Sequence, residues 1–250
     1  MSGEPPRAQN ASRTASPERY RCYQRDVARR VIVPFLREHG VALQGRRVLD
    51  VGCGFGGMMS VWTECGAVPV GVDMNLGRLK SLDGHLVAGD VSALPFRSDS
   101  FDFVCAHDCV EHVPGTRLAL QEIYRVLVPS GLAFIAFPPF YGPYGGHQHG
   151  CRTLARFLPY GHLLPRGLWL RLAASEIYAR SFLGLARLSM RKFENAAASA
   201  GFRTAACRVF LLRPEVALRW NVVSLPSGFL GDLPVVRELL ASGVFYLVVK

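Results

Sequence analysis

Short apolar runs alternate with longer amphipathic segments through the middle of the chain. A run of four to eight apolar residues predicts a buried strand, and apolar residues spaced one turn apart predict a helix. Strict alternation of the two is typical of a parallel sheet with helices on both faces. The predicted strands are 48–51, 68–72, 85–89, 101–106 and 132–137, and the predicted helical segments are 57–66, 75–82, 92–95 and 116–128.

The sequence before this alternation predicts a helix that follows a tail. Residues 16–18 (Ser-Pro-Glu) combine a capping side chain, a proline and an acid, which favours a helix start. We predict the helix over 17–39, with its end at Gly40 and an apolar face of Tyr20, Tyr23, Val27, Val31 and Phe35. Residues 1–15 lack the apolar stretch of a signal peptide, so we expect a disordered tail there.

The sequence after residue 139 departs from the alternating pattern. Residues 140–150 are aromatic, Gly-rich and polar, which predicts a loop at the ligand edge of the sheet, although its tyrosines could serve packing alone. Residues 154–190 are apolar and dotted with arginines, and we expect one or two helices there. Together, 140–190 is predicted to be an insertion that caps the active site. Two last strands are predicted at 202–212 and 243–249.

The charge of the chain indicates which kinds of partner suit it. The formal net charge is +10, and all but three of the 29 basic residues are arginine. The arginines are dispersed, without a basic block or an RNA-binding motif, so we expect no nucleic-acid partner. An anionic small molecule or a membrane surface suits the charge better. Peripheral membrane contact through 154–190 therefore stays open beside the capping role.

Length and cysteine usage indicate the class of protein. A chain of 250 residues suits one α/β domain, here predicted over 16–250. No apolar stretch approaches the roughly 20 residues of a membrane-spanning helix. The seven cysteines form no C-x-x-C pair, and their odd number argues against a disulfide framework. We therefore expect a reduced, cytoplasmic protein.

The candidate chemistry begins where the first predicted strand ends. Asp50 lies in that strand, and three glycines follow at every second position: Gly52, Gly54 and Gly56. Glycines allow a sharp turn and the close approach of a ligand. The helix that follows would present free N–H groups to that ligand. A purely structural strand–helix turn is the alternative for this stretch taken alone.

Further polar residues follow the next three predicted strands at the same edge of the sheet. Asp73 ends the second strand, and Asp90 and Val91 follow the third. The run 107–113 (His-Asp-Cys-Val-Glu-His-Val) follows the fourth, and 122–131 comes after it. These motifs, in this order, resemble the class I S-adenosylmethionine (SAM) methyltransferases, in the small-molecule subfamily that includes the ubiquinone-pathway enzymes. The resemblance covers residues 45–139.

The resemblance implies a fold and a cofactor. The implied fold is a Rossmann-like doubly wound α/β sheet, mostly parallel, with an antiparallel last strand inserted between its neighbours. The implied cofactor is SAM, with Asp73 on the ribose hydroxyls and Asp90 near the adenine amino group. The cofactor-binding residues it implies are Asp50, Gly52, Gly54, Gly56, Asp73, Asp90 and Val91. The helix over 17–39 would help to cover the cofactor, unless its tyrosines only pack on the sheet.

Methyl transfer from SAM depends mainly on positioning and exclusion of water, and a base is needed where the acceptor must lose a proton. Imidazole titrates near neutrality, which makes His107, His147 and His149 the candidate catalytic residues. We predict that Tyr141, Tyr144 and His112 contact a small-molecule acceptor, such as a sugar, a phenol or a lipid-linked glycan.

One run raises the question of a metal. Asp108, Glu111 and His112 resemble the Glu-x-x-Glu-His run of ubiquinone-pathway O-methyltransferases, with Asp in place of the first Glu. Carboxylates with an imidazole suit Mg²⁺ or Mn²⁺. Relatives also use such residues for capping and packing, and we assign no metal.

Two other functions remain compatible with the sequence. A non-catalytic SAM-binding module would keep the cofactor motifs. A nicotinamide-dependent oxidoreductase would share the nucleoside-binding plan, but the chain has no Tyr-x-x-x-Lys pair and the order of its motifs is wrong for that class.

Overall fold

A computed structural model describes residues 16–75, 77 and 85–250. Within this part of the chain, one eight-stranded sheet has the order β3-β2-β1-β4-β5-β8-β6-β7. The strands are β1 (Arg47–Val51), β2 (Val68–Asp73), β3 (His85–Ala88), β4 (Phe101–His107), β5 (Leu127–Phe137), β6 (Arg203–Leu212), β7 (Leu225–Pro226) and β8 (Gly243–Val249). The predicted tail at 1–15 lies outside the described residues.

The strand directions follow the expected doubly wound plan. The first five strands pair in parallel, so their carboxyl ends lie at one edge of the sheet. The last strand, β8, runs antiparallel between β5 and β6. The expected fold, mostly parallel with an antiparallel last strand, is confirmed.

Helices cover both faces of the sheet. They are α1 (Pro17–Val27), α2 (Val33–Glu38), α3 (Gly57–Glu64), α4 (Thr116–Val126), α5 (Arg166–Ala173), α6 (Glu176–Leu183), α7 (Met190–Ala200), α8 (Pro214–Trp220) and α9 (Pro234–Leu240). Strand β4 shows how the two layers arise. Val104 and Ala106 pack into one core and Phe103 and Cys105 into the other, because successive side chains point to opposite faces.

The first predicted helix is divided by a wider turn. Ser16 caps α1 by accepting a hydrogen bond from the backbone N–H of Arg19, as the sequence predicts. A π-helical turn, Ala28–Ile32, then separates α1 from α2. Pro34 stands in the first turn of α2, where its missing N–H leaves the preceding turn without one bond of the regular α-helical ladder.

Two predicted elements differ from the structure. Strand β5 begins at Leu127 rather than at 132, and its pairing with β4 shifts register before Leu132. The segment 92–95 is not helical. A tight turn there is closed by a bridge between Asp90 and Ala93. The predicted helix at 75–82 lies almost entirely outside the described residues.

The segment after β5 forms a small core of its own. Helices α5 and α6 pack there, through Phe140, Cys151, Trp169, Ala173, Tyr178 and Phe182. Trp169 Nε1 donates to the Tyr178 hydroxyl at 2.9 Å, and that hydroxyl donates to the Gly146 carbonyl at 2.7 Å. These bonds tie the helices to the loop at 140–150. Among the described residues, none of the helices is both long and apolar enough to cross a membrane.

Candidate active site

The glycine-rich loop connects β1 to α3 in a conformation that requires glycine. Gly52, Gly54 and Gly56 have φ angles of 72°, 58° and 68°, in the left-handed region that side chains disfavour. The N–H groups of Gly52 and Cys53 donate to the Val72 carbonyl, at 2.8 and 3.1 Å. The loop is thereby held against β2, with its backbone open to close approach.

Gln24 fixes the same loop from the side of α1, and the sequence reasoning missed it. Its Nε2 donates to the Cys53 carbonyl at 3.1 Å, and its Oε1 accepts from the Gly57 N–H at 3.3 Å. The side chain is buried. In the sequence, Gln24 could have been noticed as a polar residue on the otherwise apolar face of α1. The aromatic contact of Tyr20 with Phe55 packs the same helix on the loop.

Asp73 lies at the carboxyl end of β2, beside the glycine-rich loop. Its carboxylate accepts from the Gly54 N–H at 3.0 Å and from the Asn75 N–H at 2.8 Å. The residue is 9% exposed. A carboxylate held in this way presents oriented oxygens at the edge where nucleoside ligands bind in doubly wound folds.

The other acids predicted at this edge have different surroundings. Asp50 is buried and accepts from Trp62 Nε1 at 3.2 Å. Burial raises the pKa of Asp50 to about 7, although the Trp62 bond opposes the change. Asp90 accepts from the Ser92 N–H at 2.8 Å in the turn after β3, and Val91 packs into the core. All three stay predicted cofactor residues, with Asp50 having an internal partner.

His107 belongs to a network of charged side chains. Its Nε2 lies 2.7 Å from Glu215 Oε1, and its Nδ1 lies 3.9 Å from Asp108 Oδ2. Arg213 donates to both Glu215 and Asp108. Burial lowers the pKa of His107, but the Asp108 and Glu215 carboxylates outweigh it, so the pKa is raised. This position favours a structural imidazolium over the predicted catalytic base.

A second cluster brings together histidines from distant parts of the sequence. His147 Nε2 lies 3.6 Å from Glu111 Oε1, and His112 Nε2 lies 3.9 Å from the same oxygen. The rings of His112 and His147 meet edge to face at 5.0 Å between centroids. Glu111 and His147 are buried. The exposed His149 ring lies 5.7 Å from that of His147.

The side chain of Cys109 places this cluster next to the glycine-rich loop. A Cβ added at Gly52 would come within 3.0 Å of Cys109 Sγ, so the segment after β4 lies directly against the loop. Glu111 lies two residues further on, in the short helix Val110–His112. Its carbonyl accepts from the Ala186 N–H at 2.8 Å, which joins the segment to the end of the 140–190 region.

The loop at 140–150 has a rigid base and exposed tyrosines. Gln148 Nε2 lies 2.9 Å from His162 Nδ1, and His162 Nε2 lies 2.6 Å from the Phe140 carbonyl. Burial lowers the pKa of His162, which favours a neutral ring that donates from Nε2. Tyr141 and Tyr144 are exposed, as acceptor-contacting residues would be. The sequence reasoning overlooked both Gln148 and His162.

The second cluster has the donor set of a metal site. One ligand atom from each of Glu111, His112 and His147 lies within 4.8 Å of the others. One carboxylate with two imidazoles suits a first-row divalent ion. Asp108, which the sequence grouped with Glu111 and His112, instead accepts a hydrogen bond from Arg213. In the structure the third potential ligand, beside Glu111 and His112, is His147.

Comparison with known proteins agrees with this geometry. Residues 49–135 match the family model described as a methyltransferase domain. An uncharacterized methyltransferase of Mycobacterium avium is 30% identical over 224 residues, covering 82% of this chain and 78% of the relative. Another, from Mycolicibacterium paratuberculosis, is 36% identical over 120 residues, which cover 45% of this chain and about half (47%) of that relative.

A solved structure shares the fold at low sequence identity. It is the crystal structure of a SAM-dependent methyltransferase, described as a possible histamine N-methyltransferase, from Thermotoga maritima. The two structures have a TM-score of 0.59 and 15% identity, with 93% of each chain covered. At that identity the likeness concerns the fold alone.

The chain belongs to the SAM-dependent methyltransferase family. The residues present fit this cofactor: a turn with glycine at three left-handed positions, the start of α3 behind it, and an oriented carboxylate at Asp73. SAM is accordingly the cofactor. In that arrangement Asp73 would hold the ribose hydroxyls, and the backbone of the loop at Gly52–Gly56 would lie against the cofactor.

Replacement of Asp73 with Ala should weaken SAM binding by about 1–3 kcal/mol, because a charge-assisted pair of hydrogen bonds is lost. Isothermal titration calorimetry measures the effect. Asp102→Asn is the matched control, because its carboxylate accepts from the Arg47 N–H at the opposite edge of the sheet. Equal SAM affinity in Asp73→Ala and the parent would remove Asp73 from the cofactor site.

Replacement of Glu215 with Gln should cost about 3 kcal/mol of unfolding free energy, because Arg213 and His107 lose a buried counter-charge. Burial raises the pKa of Glu215, but Arg213 and His107 outweigh it and lower the pKa to about 2. The contribution is therefore complete above the ordinary carboxyl pKa near 4.5 and disappears as the pH falls towards 2.

Urea unfolding at several pH values tests this difference. The control is Glu64→Gln, which breaks the half-exposed pair with Arg29 and should change stability far less. Equal losses in the two variants would mean that the buried network does not stabilise the fold.

Proposed function

We propose that the protein transfers the methyl group of SAM to a hydroxyl of a small-molecule acceptor, such as a sugar, a phenol or a lipid-linked glycan. The observation that carries the proposal is the buried pair of His147 and Glu111 beside the glycine-rich loop. A hydroxyl must lose its proton as it is methylated, and an imidazole next to a carboxylate can take that proton.

His147 and Glu111 would have different roles in the deprotonation of the acceptor hydroxyl. His147 would accept the proton of the acceptor hydroxyl, and the Glu111 carboxylate would stabilise the imidazolium that results. The His112 ring packs edge to face on His147 and limits its orientation. SAM supplies an activated methyl group on a sulfonium, so the remaining contribution of the protein is alignment and exclusion of water.

The exposed residues of the loop at 140–150 would contact the acceptor. Tyr141 and Tyr144 present aromatic faces and hydroxyls, which suit a ring-shaped polar molecule. His149 lies at the exposed side of His147, where it would meet the part of the acceptor nearest to solvent. The 140–190 region would cap this site, since the Ala186 N–H reaches Glu111.

The reaction itself is tested with isotopically labelled SAM and a panel of sugars, phenols and lipid-linked glycans. Transfer of label to a hydroxyl of one of these acceptors is the expected result. SAM binding without transfer to any member of the panel would favour a non-catalytic SAM-binding module.

Replacement of His147 with Gln should lower kcat by roughly 10²–10⁴-fold and leave SAM affinity within a few-fold. The parent rate should rise with pH between about 5.5 and 7.5, where imidazoles ordinarily titrate, and the variant should lose that rise. The assay uses the hydroxyl acceptor with the highest rate in the panel.

The matched control is His85→Gln, an exposed histidine at the amino end of β3, the opposite edge of the sheet, which should keep most of the rate. A His147→Gln enzyme that turns over at the parent rate would contradict the proposed base. Loss of activity in EDTA, restored by a divalent ion, would instead assign Glu111, His112 and His147 to a metal.

A further inference from the structure

We propose that the outer surface of the 154–183 region, together with the neighbouring 229–240 segment, binds the surface of an anionic lipid bilayer. We call these exposed residues the apolar surface. They are Leu154, Phe157, Leu158, Leu163, Leu164, Leu168, Leu172, Ile177, Phe229, Leu233, Val235, Leu239 and Leu240.

Helix α5 carries part of the apolar surface on the side next to its packed side. Trp169 and Ala173 point inwards and are fully buried. Leu168 and Leu172 are four residues apart in the helix and are exposed, at 49% and 41%, and Leu164 is exposed just before the helix begins. Residues spaced four apart lie on one face of a helix. The outer face of α5 therefore carries leucines where a solvated helix would carry polar side chains.

Hydrogen bonds hold two parts of the apolar surface, the turn at 154–157 and the end of α5, next to each other. The Thr153 hydroxyl donates to the Leu172 carbonyl, and the Arg152 N–H donates to the Ala173 carbonyl. The turn that bears Leu154 (83% exposed) and Phe157 (56% exposed) is thereby fixed beside the end of α5.

A second contact extends the surface to the C-terminal segment. The Tyr160 hydroxyl donates to the Leu239 carbonyl at 2.9 Å. This bond joins the 158–164 turn to α9, where Val235 is 72% exposed and Leu239 and Leu240 are also exposed. An exposed apolar area drawn from two separate segments marks a site of interaction rather than scattered surface residues.

Charge identifies the occupant as an anionic bilayer. Both segments together are net positive: 152–191 has seven arginines and one acid, Glu176, and 229–240 has one arginine and two acids. All seven arginines of 152–191 are exposed, and five of them lie among the leucines: Arg152, Arg156, Arg166, Arg171 and Arg180. Exposed leucine and phenylalanine with surrounding arginine is the composition of interfacial helices, whose apolar groups enter the lipid while the cations meet the headgroups. An acidic headgroup layer complements both features at once.

The position of the surface also bears on the acceptor, a point that rests on the proposed function. Tyr144 belongs to the loop at 140–150, and its hydroxyl lies 3.4 Å from the carbonyl of Phe157, a residue of the apolar surface. An acceptor attached to a lipid would therefore reach the loop from the bilayer. Vesicle binding needs no acceptor, so its failure and the failure of methyl transfer are separate results.

Vesicle co-sedimentation tests the proposal with the full chain. The parent should pellet with vesicles of phosphatidylcholine and phosphatidylglycerol (3:1) and much less with phosphatidylcholine alone. Part of the binding should survive 0.5 M NaCl, because apolar insertion is not screened by salt. The double variant Leu168→Glu/Leu172→Glu should bind at least tenfold more weakly. The control Leu118→Glu changes an exposed leucine on α4 and should bind like the parent.

Calorimetric SAM binding checks that each variant is folded, and Phe157→Glu is a second variant on a separate turn. No pelleting of the parent with anionic vesicles would overturn the proposal, as would equal binding by the parent and both apolar-surface variants. A parent that forms a dimer broken by Leu168→Glu/Leu172→Glu, without vesicle binding, would overturn it in favour of a contact between two copies of the chain.

Discussion

The parallel pairing of the first five strands is the constraint on which the rest of the structure depends. Parallel strands end at one edge, so residues far apart in sequence must meet there. The glycine-rich loop follows β1, Asp73 ends β2, and Glu111 follows β4. No ligand is needed to gather them, because the hydrogen-bond register of the strands already does so.

The antiparallel β8 strand brings the C-terminal part of the chain to the same sheet. It lies between β5 and β6, and α8 follows β6. Glu215 at the start of α8 can therefore meet His107 at the end of β4, 108 residues away. The charged network holds α8 against the parallel sheet and offsets the cost of burying each of its charges. It also occupies His107, which is why the proposed base is a histidine near Glu111.

Sequence reasoning was most successful where function depends on local motifs. The positive φ angles at Gly52, Gly54 and Gly56 match a glycine pattern that can be recognised from the local sequence alone. The antiparallel last strand followed from the family resemblance. The start of β5 was missed because the helix was predicted to continue to residue 128 and the strand to begin only after Pro129, Ser130 and Gly131. The structure includes these residues in the strand, with a register shift in its pairing with β4.

Contacts between distant segments could not be predicted in the same way. Gln24 meets Cys53 across 29 positions, and Arg213 meets Asp108 across 105. A polar residue on a buried helix face signals that a partner exists without indicating which one. The same limit explains why the sequence grouped Asp108 with Glu111 and His112, whereas the structure brings His147 to them.

The cofactor edge and the Glu111–His147 pair are proposed to form one site. A crystal structure with S-adenosylhomocysteine, the demethylated product of SAM, is the decisive measurement. We expect the ribose hydroxyls on Asp73 and the thioether sulfur facing His147. A sulfur atom directed at the His107–Glu215 network, or a ribose bound away from Asp73, would contradict this proposal.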